Sequence, residues 1–218
     1  MQRIDYYLWS MKSILVLLSC FLFSISFCQK KQAPFSGEML FSAQRVIPKD
    51  SAQEHMLIYA KDSLLKIVNF SSQMGKQELI KHLTKQKSYL LLETTKGNYA
   101  IRTSYAKYQD SSLTYTYKKR FGSKRIAGFK AKKIEVTFKD IDKPFTFYYL
   151  KGIPARYGSA YTDFPGLAVE YYIPTDEGMF QYTLTELKRT DPPLTLFMVP
   201  EKFKRLSLEE FMEEMAKP

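Results

Sequence analysis

The chain reads as a mainly β protein: one large curved antiparallel sheet, or incomplete barrel, with few helices and one of them at the C-terminus. Three observations carry this expectation. Short segments alternating apolar and polar residues recur along most of the sequence. Gly, Pro, Asn and Asp cluster at the breaks between them, and no alternation of strands with long helical patterns is present.

The elements follow in order. Met39, Phe41 and Ala43 alternate with Leu40 and Ser42, and Pro48-Lys49-Asp50-Ser51 is expected to close that strand. His55 to Lys61 reads as a second strand, turned by Asp62-Ser63 into Leu64 to Phe70, with a turn from Ser71 to Gly75. Gln77 to Leu83 also suits a helical face through Leu79, Ile80 and Leu83. It is taken as a strand because Tyr89 to Thr94 follows after a short polar link. Lys96-Gly97-Asn98 turns the chain into Tyr99 to Ser104. Leu113, Tyr115 and Tyr117 alternate with threonines, Ile134, Val136 and Phe138 repeat the pattern, and Phe145, Phe147 and Tyr149 do so again. Leu167 to Ile173 and Phe180 to Leu187 form a last pair joined by Pro174-Thr175-Asp176-Glu177-Gly178, giving about ten strands. The helix begins after Ser207, which stands three residues before Glu210 as a capping box requires. Its stripe of Leu208, Phe211, Met212 and Met215 is expected to dock on the domain's own core.

The N-terminus predicts export. With Met11 as the start, Lys12 supplies a positive charge and Ile14 to Phe27 is apolar or serine without a charge. Ser26-Phe27-Cys28 then sets small residues for cleavage ahead of Gln29. The run is shorter than the roughly 20 apolar residues a membrane span needs. Lipid attachment is the competing outcome, at Cys20 after Leu17-Leu18-Ser19 or at Cys28. The expected organisation is a signal peptide over 1–28 and one β-rich domain over 29–218, in the periplasm, associated with the outer membrane, or secreted. Cleavage removes both cysteines, so the mature domain depends on packing rather than disulfides.

Formal net charge is +11. In an exported chain without RNA-binding aromatic motifs or zinc fingers, this points away from nucleic acid and towards anionic membrane surfaces, lipid head groups or polyanionic glycans. Catalysis is not expected. His55 and His82 stand alone in strands, without metal-ligand spacing, and no Gly-x-Ser-x-Gly elbow, phosphate loop or EF-hand occurs. Asp140-Ile141-Asp142 is a turn, where Asp suits the backbone. No catalytic residue, metal or cofactor is assigned.

The aromatic strands are the candidate binding surface. Phe145, Phe147 and Tyr149 share one face of a strand while Thr146, Tyr148 and Leu150 occupy the other. Two apolar faces need two covers: a core, and a sheet, helices or a ligand. A curved sheet with an apolar groove lined by some of Tyr115, Tyr117, Ile134, Val136, Phe145, Phe147 and Tyr149 meets that need. Pro165-Gly166, between Phe164 and Leu167, is expected to form a tight turn with positive φ at the glycine.

Two motifs carry a resemblance. Lys124-Arg125-Ile126-Ala127-Gly128-Phe129-Lys130-Ala131-Lys132-Lys133 resembles the K-x-I-x-G opening of a strand in exported Gram-negative proteins. Phe164-Pro165-Gly166-Leu167-Ala168-Val169-Glu170 resembles the signature of the GLPGLI family and its relatives. Phe145 to Ile153 with its Ile-Pro turn, and Pro200-Glu201-Lys202-Phe203-Lys204, are similar to other parts of those proteins. Ala131 stands where Cys is common and Ala168 where Ile is usual. The resemblance extends to LolA/LppX-like periplasmic carriers, and implies an incomplete barrel receiving lipid or lipoprotein acyl chains.

The expectation is therefore an exported, non-enzymatic binding protein of the cell envelope that takes lipid, an acyl chain or a lipoprotein in an apolar groove. The alternative is a secreted domain without a small-molecule ligand that binds an envelope protein or an anionic glycan through its basic, tyrosine-rich surface.

Overall fold

Among the described residues twelve strands form one sheet whose order places the two halves of the chain side by side. The computed structural model describes residues 34–71, 75–104 and 114–216. The expected signal peptide, both cysteines, Leu113 and the middle of the 71–75 turn lie outside the described residues. The strands are β1 (Ser36–Ile47), β2 (Lys49–Lys61), β3 (Leu64–Ser71), β4 (Gly75–His82), β5 (Lys87–Thr94), β6 (Gly97–Ser104), β7 (Tyr115–Ile126), β8 (Phe129–Phe138), β9 (Phe145–Leu150), β10 (Leu167–Thr175), β11 (Gly178–Lys188) and β12 (Lys204–Leu206). The order β12-β6-β5-β4-β3-β2-β1-β11-β10-β9-β8-β7 is two meanders joined where β1 pairs antiparallel with β11. Only β12 departs from antiparallel pairing, running parallel to β6 with Lys204 opposite Tyr99.

The sheet is open and strongly curved. Three strands separate β7 from β11, which would place them about 19 Å apart in a flat sheet. Their Cα atoms nevertheless come within 8 Å of each other. The concave face carries the main core: Met39, Phe41, Ile58, Leu65, Ile134, Val136, Phe147 and Leu184 are fully buried or nearly so. Local turn chemistry sets the hairpins. Asp62 has φ +52 in the β2–β3 turn, and Ala127 and Gly128, at φ +46 and +83, give the β7–β8 hairpin the paired left-handed residues its twist favours.

Several expectations are refined. Pro48 does not close the sheet pairing: β2 resumes at Lys49, and Val46 pairs with Lys49 across the link. Gln77 to Leu83 is a strand through His82, held by β3 on one side and β5 on the other. The charged run after Tyr117 continues as strand, making β7 the long edge of the sheet.

The C-terminal helix, α1 (Leu208–Ala216), is capped as expected. Ser207 N–H donates to Glu210 Oε2 at 2.6 Å, and Glu210 N–H donates to Ser207 Oγ at 3.1 Å. Its stripe docks by half. Phe211 meets the Tyr99 ring edge-on at 5.3 Å and Met215 is half-buried, whereas Leu208 and Met212 are exposed. On the face opposite the main core, Ile80, Leu91 and Ala100 of β4 to β6 are covered by Phe203 and Val199 from the segment leading to the helix.

Candidate functional site

The seven residues expected to line a groove do share the concave face, and the chain's own loop fills the space above them. Ile134, Val136 and Phe147 are fully buried, Tyr149 is nearly so, and Tyr115, Tyr117 and Phe145 are half-buried against the same core. The filling comes from the segment between β9 and β10. Tyr161, at φ +56, packs edge-on to Tyr115 at 5.0 Å, to Phe147 at 5.1 Å and to Tyr171 at 5.7 Å. Phe164 lies 5.0 Å from Tyr117 and stacks on Tyr161 at 5.0 Å. Rings in such offset and edge-on geometry add about 0.5–1.5 kcal/mol per pair beyond burial.

Polar contacts tie this loop down at both ends. Tyr115 OH donates to Asp163 Oδ1, and Tyr117 OH donates to the Asp163 carbonyl oxygen at 3.2 Å. Burial first, then the hydrogen bond and charge of Asp163, hold the Tyr115 hydroxyl well above the usual tyrosine range. Tyr161 OH donates to the Tyr172 carbonyl oxygen. Nearer β9, the buried Tyr157 hydroxyl accepts from Phe35 N–H at 3.0 Å and donates to the Asp62 carbonyl oxygen at 2.5 Å.

The motif turn needs a correction. Gly166 does not take positive φ. A Cβ built on it would lie 2.1 Å from the Leu150 carbonyl oxygen and 2.8 Å from the Leu150 carbonyl carbon. Glycine is required here because two backbones touch, where β10 begins beside the end of β9. Phe164 is buried in the aromatic cluster and Leu167 is fully buried, pairing with Leu150.

The concave face opens at its other end. A cleft of about 340 Å³ lies over the C-terminal part of β1, the start of β2, the end of β3 and the β10–β11 turn. Register shows that it continues the core face: Phe41 and Ala43 share a side of β1, Ala43 pairs with Tyr182 and Glu54, Met56 with Asn69, and Asn69 with Gln77. Tyr182 divides the filled part from the open part, its ring stacked on Tyr171 at 5.1 Å with only 4° between planes. Burial and then the charge of Glu54 push the Tyr182 hydroxyl up to about 12. Among the described residues the lining includes Glu54, Asp176, Glu177, Asn69, Gln77, Phe180 and Tyr182, and no Lys or Arg.

No signal in the sequence singled out this cleft, because its residues come from five separate segments. His55 lies at its rim on β2, while His82 ends β4 with Nδ1 3.2 Å from Thr84 Oγ1. Among the described residues, no group of three or more His, Cys, Asp or Glu is arranged to hold a metal.

No family model matches the chain, and no curated protein matches it. Among solved structures it is similar to that of PNGF-II in space group P21, with a TM-score of 0.51 and 10% sequence identity. The match covers 85% of this chain and 34% of that one, so the chain spans about a third of its length. At this identity the likeness concerns the fold alone.

Proposed function

We propose that this chain is an exported, non-enzymatic binding protein of the cell envelope whose ligand is a neutral glycan held in the cleft beside Tyr182. The observation that carries the reading is the composition of that cleft. Its volume falls within the range of about 300–1,000 Å³ usual for ligand sites. Phe180 and Tyr182 offer aromatic surface to sugar C–H groups, while Asn69, Asp176 and Glu177 supply donors and acceptors for hydroxyls. The acidic side chains Asp176 and Glu177 in the lining disfavour fatty-acid carboxylates and phosphate head groups.

This reading differs both from the acyl carrier and from an anionic glycan held on the basic surface, since the cleft is acidic. An acyl chain in the expected groove would require Tyr161 and Phe164 to leave the cluster formed with Tyr115, Tyr117 and Phe147. The N-terminal segment and the GLPGLI-like motifs support the envelope location.

Calorimetric titration with a panel of neutral oligosaccharides tests the proposal. Saturable binding is expected, weakened about tenfold by Asn69→Ala or Phe180→Ala, each the equivalent of one lost polar or ring contact. Absence of binding across the panel, with saturable uptake of a fluorescent fatty acid, would return the function to the acyl-carrier reading.

A further inference from the structure

The β7–β8 hairpin carries a charge and an exposed ring that neither the core nor the cleft uses. Between Tyr115 and Phe138 the sequence has Lys118, Lys119, Arg120, Lys124, Arg125, Lys130, Lys132 and Lys133 against one acid, Glu135. Two of these cations are already paired, Arg120 with Glu135 and Lys124 with Glu170, each at 2.7 Å. Arg125 donates to the Gly128 carbonyl oxygen at 2.9 Å. Lys118, Lys119, Lys130 and Lys132 are exposed, and among the described residues they form no ion pair.

Within this field Phe121 is wholly exposed, at 104% of its reference area. The register explains how. Lys119 pairs with Ile134 and Ser123 with Lys132, so β7 spends four steps where β8 spends two. The surplus forms a bulge containing Arg120, Phe121 and Gly122, with Gly122 at φ +122. Among the described residues β7 is the last strand of the sheet, and no described strand pairs with it beyond the bulge.

Lysines and a bulge on an edge strand also protect against edge-to-edge aggregation. That explanation accounts for the charge and fails for the ring. A fully exposed phenylalanine increases the risk that such features reduce. A soluble polyanion accounts for the lysines and likewise leaves the ring without a role. A ring projecting among cations matches an interface with acidic head groups outside and acyl chains just beneath, where aromatic residues anchor and basic residues are attracted.

We infer that the β7–β8 hairpin docks this protein on an anionic phospholipid bilayer, with Phe121 entering the head-group boundary and Lys119, Lys130 and Lys132, which share one face by register, turned to the lipid phosphates. This surface is separate from the cleft, and its test does not depend on a glycan being bound.

The test is co-sedimentation of the full chain with vesicles of phosphatidylcholine alone or with about 30 mol % phosphatidylglycerol, which supply the negative surface potential that attracts basic segments. The readout is the ratio of anionic to zwitterionic binding. That ratio is expected to exceed one and to fall about fivefold for each lysine changed to glutamine. Phe121→Ser should weaken vesicle binding several-fold, leave the thermal midpoint unchanged, and leave binding to dextran sulfate as it was. Equal binding to the two vesicles would overturn the inference. So would a Phe121→Ser variant that keeps full vesicle affinity, or a parent protein that binds dextran sulfate and not anionic vesicles.

Discussion

Lys124 Nζ donates to Glu170 Oε2 at 2.7 Å, joining the first residue of one sequence motif to the last residue of the other. The pair reaches from the edge strand β7 to β10, and the Lys124 ammonium also lies 5.5 Å from the centre of the Tyr148 ring on the intervening β9. The hydrogen bond to Glu170 raises the Lys124 pKa above the ordinary lysine value, against the opposing effect of burial. The partners differ in environment. Glu170 is 7% exposed, whereas the Lys124 side chain is 49% exposed and can turn to water when its partner is lost.

That difference predicts an asymmetry. Lys124→Met leaves a buried carboxylate without its cation, at a cost of about 2–3 kcal/mol, while Glu170→Gln releases the lysine to solvent and costs less than about 1 kcal/mol. Urea unfolding of the two single variants and the double variant measures both values. Equal destabilisation by the single variants would mean that burial of Glu170 does not control the pair.

Gly166 gives a second prediction. Since its constraint is contact with the Leu150 carbonyl rather than positive φ, even the smallest side chain must move backbone. Gly166→Ala should therefore cost about 2–3 kcal/mol, as overpacking does when neither neighbour can yield. Thermal unfolding beside Gly128→Ala, which has positive φ and open space for a Cβ, distinguishes the two causes. A smaller loss at Gly166 than at Gly128 would contradict the close-contact explanation.

The sequence reveals what depends on neighbours along the chain. Asp62-Ser63, Lys96-Gly97 and Pro174 to Gly178 mark hairpins by their own backbone preferences, and the Ser207–Glu210 cap is complete within four residues. Strand character of β4 is ambiguous locally, because Leu79, Ile80 and Leu83 fit either period; pairing with β3 and β5 decides it. Non-local contacts were beyond reach. Tyr161 and Phe164 cover the aromatic strands only because the link to β10 folds back over the concave face, so rings that suggest a groove become core. The Pro165-Gly166 pair signals a backbone constraint but contains no information about Leu150, whose carbonyl sets it. The parallel pairing of β12 with β6 and the cleft beside Tyr182 likewise arise from segments distant in sequence.

The buried tyrosines predict weakening at alkaline pH. Burial raises the Tyr171 and Tyr115 hydroxyls above the ordinary value of 10.0 and pushes Tyr182 up to about 12, with the Glu54 charge adding to the shift at Tyr182. Below about pH 9 these hydroxyls are almost fully protonated in both the folded and unfolded chain, so they give stability almost no pH dependence. Between about pH 10 and 12 the unfolded chain loses these protons while the native state keeps them. The native state then binds more protons, and stability falls as pH rises. Tyr171, 2% exposed and bonded to Ser159 Oγ at 2.9 Å, contributes a slope of up to about 1.4 kcal/mol per pH unit. Lysine titration acts in the same range, so the comparison is between the parent and Tyr171→Phe. Urea unfolding from pH 8 to 11.5, chosen to span about the usual tyrosine titration, should show a shallower alkaline decline for the variant. Parallel curves would mean that Tyr171 ionises in the folded protein as it does in the unfolded chain.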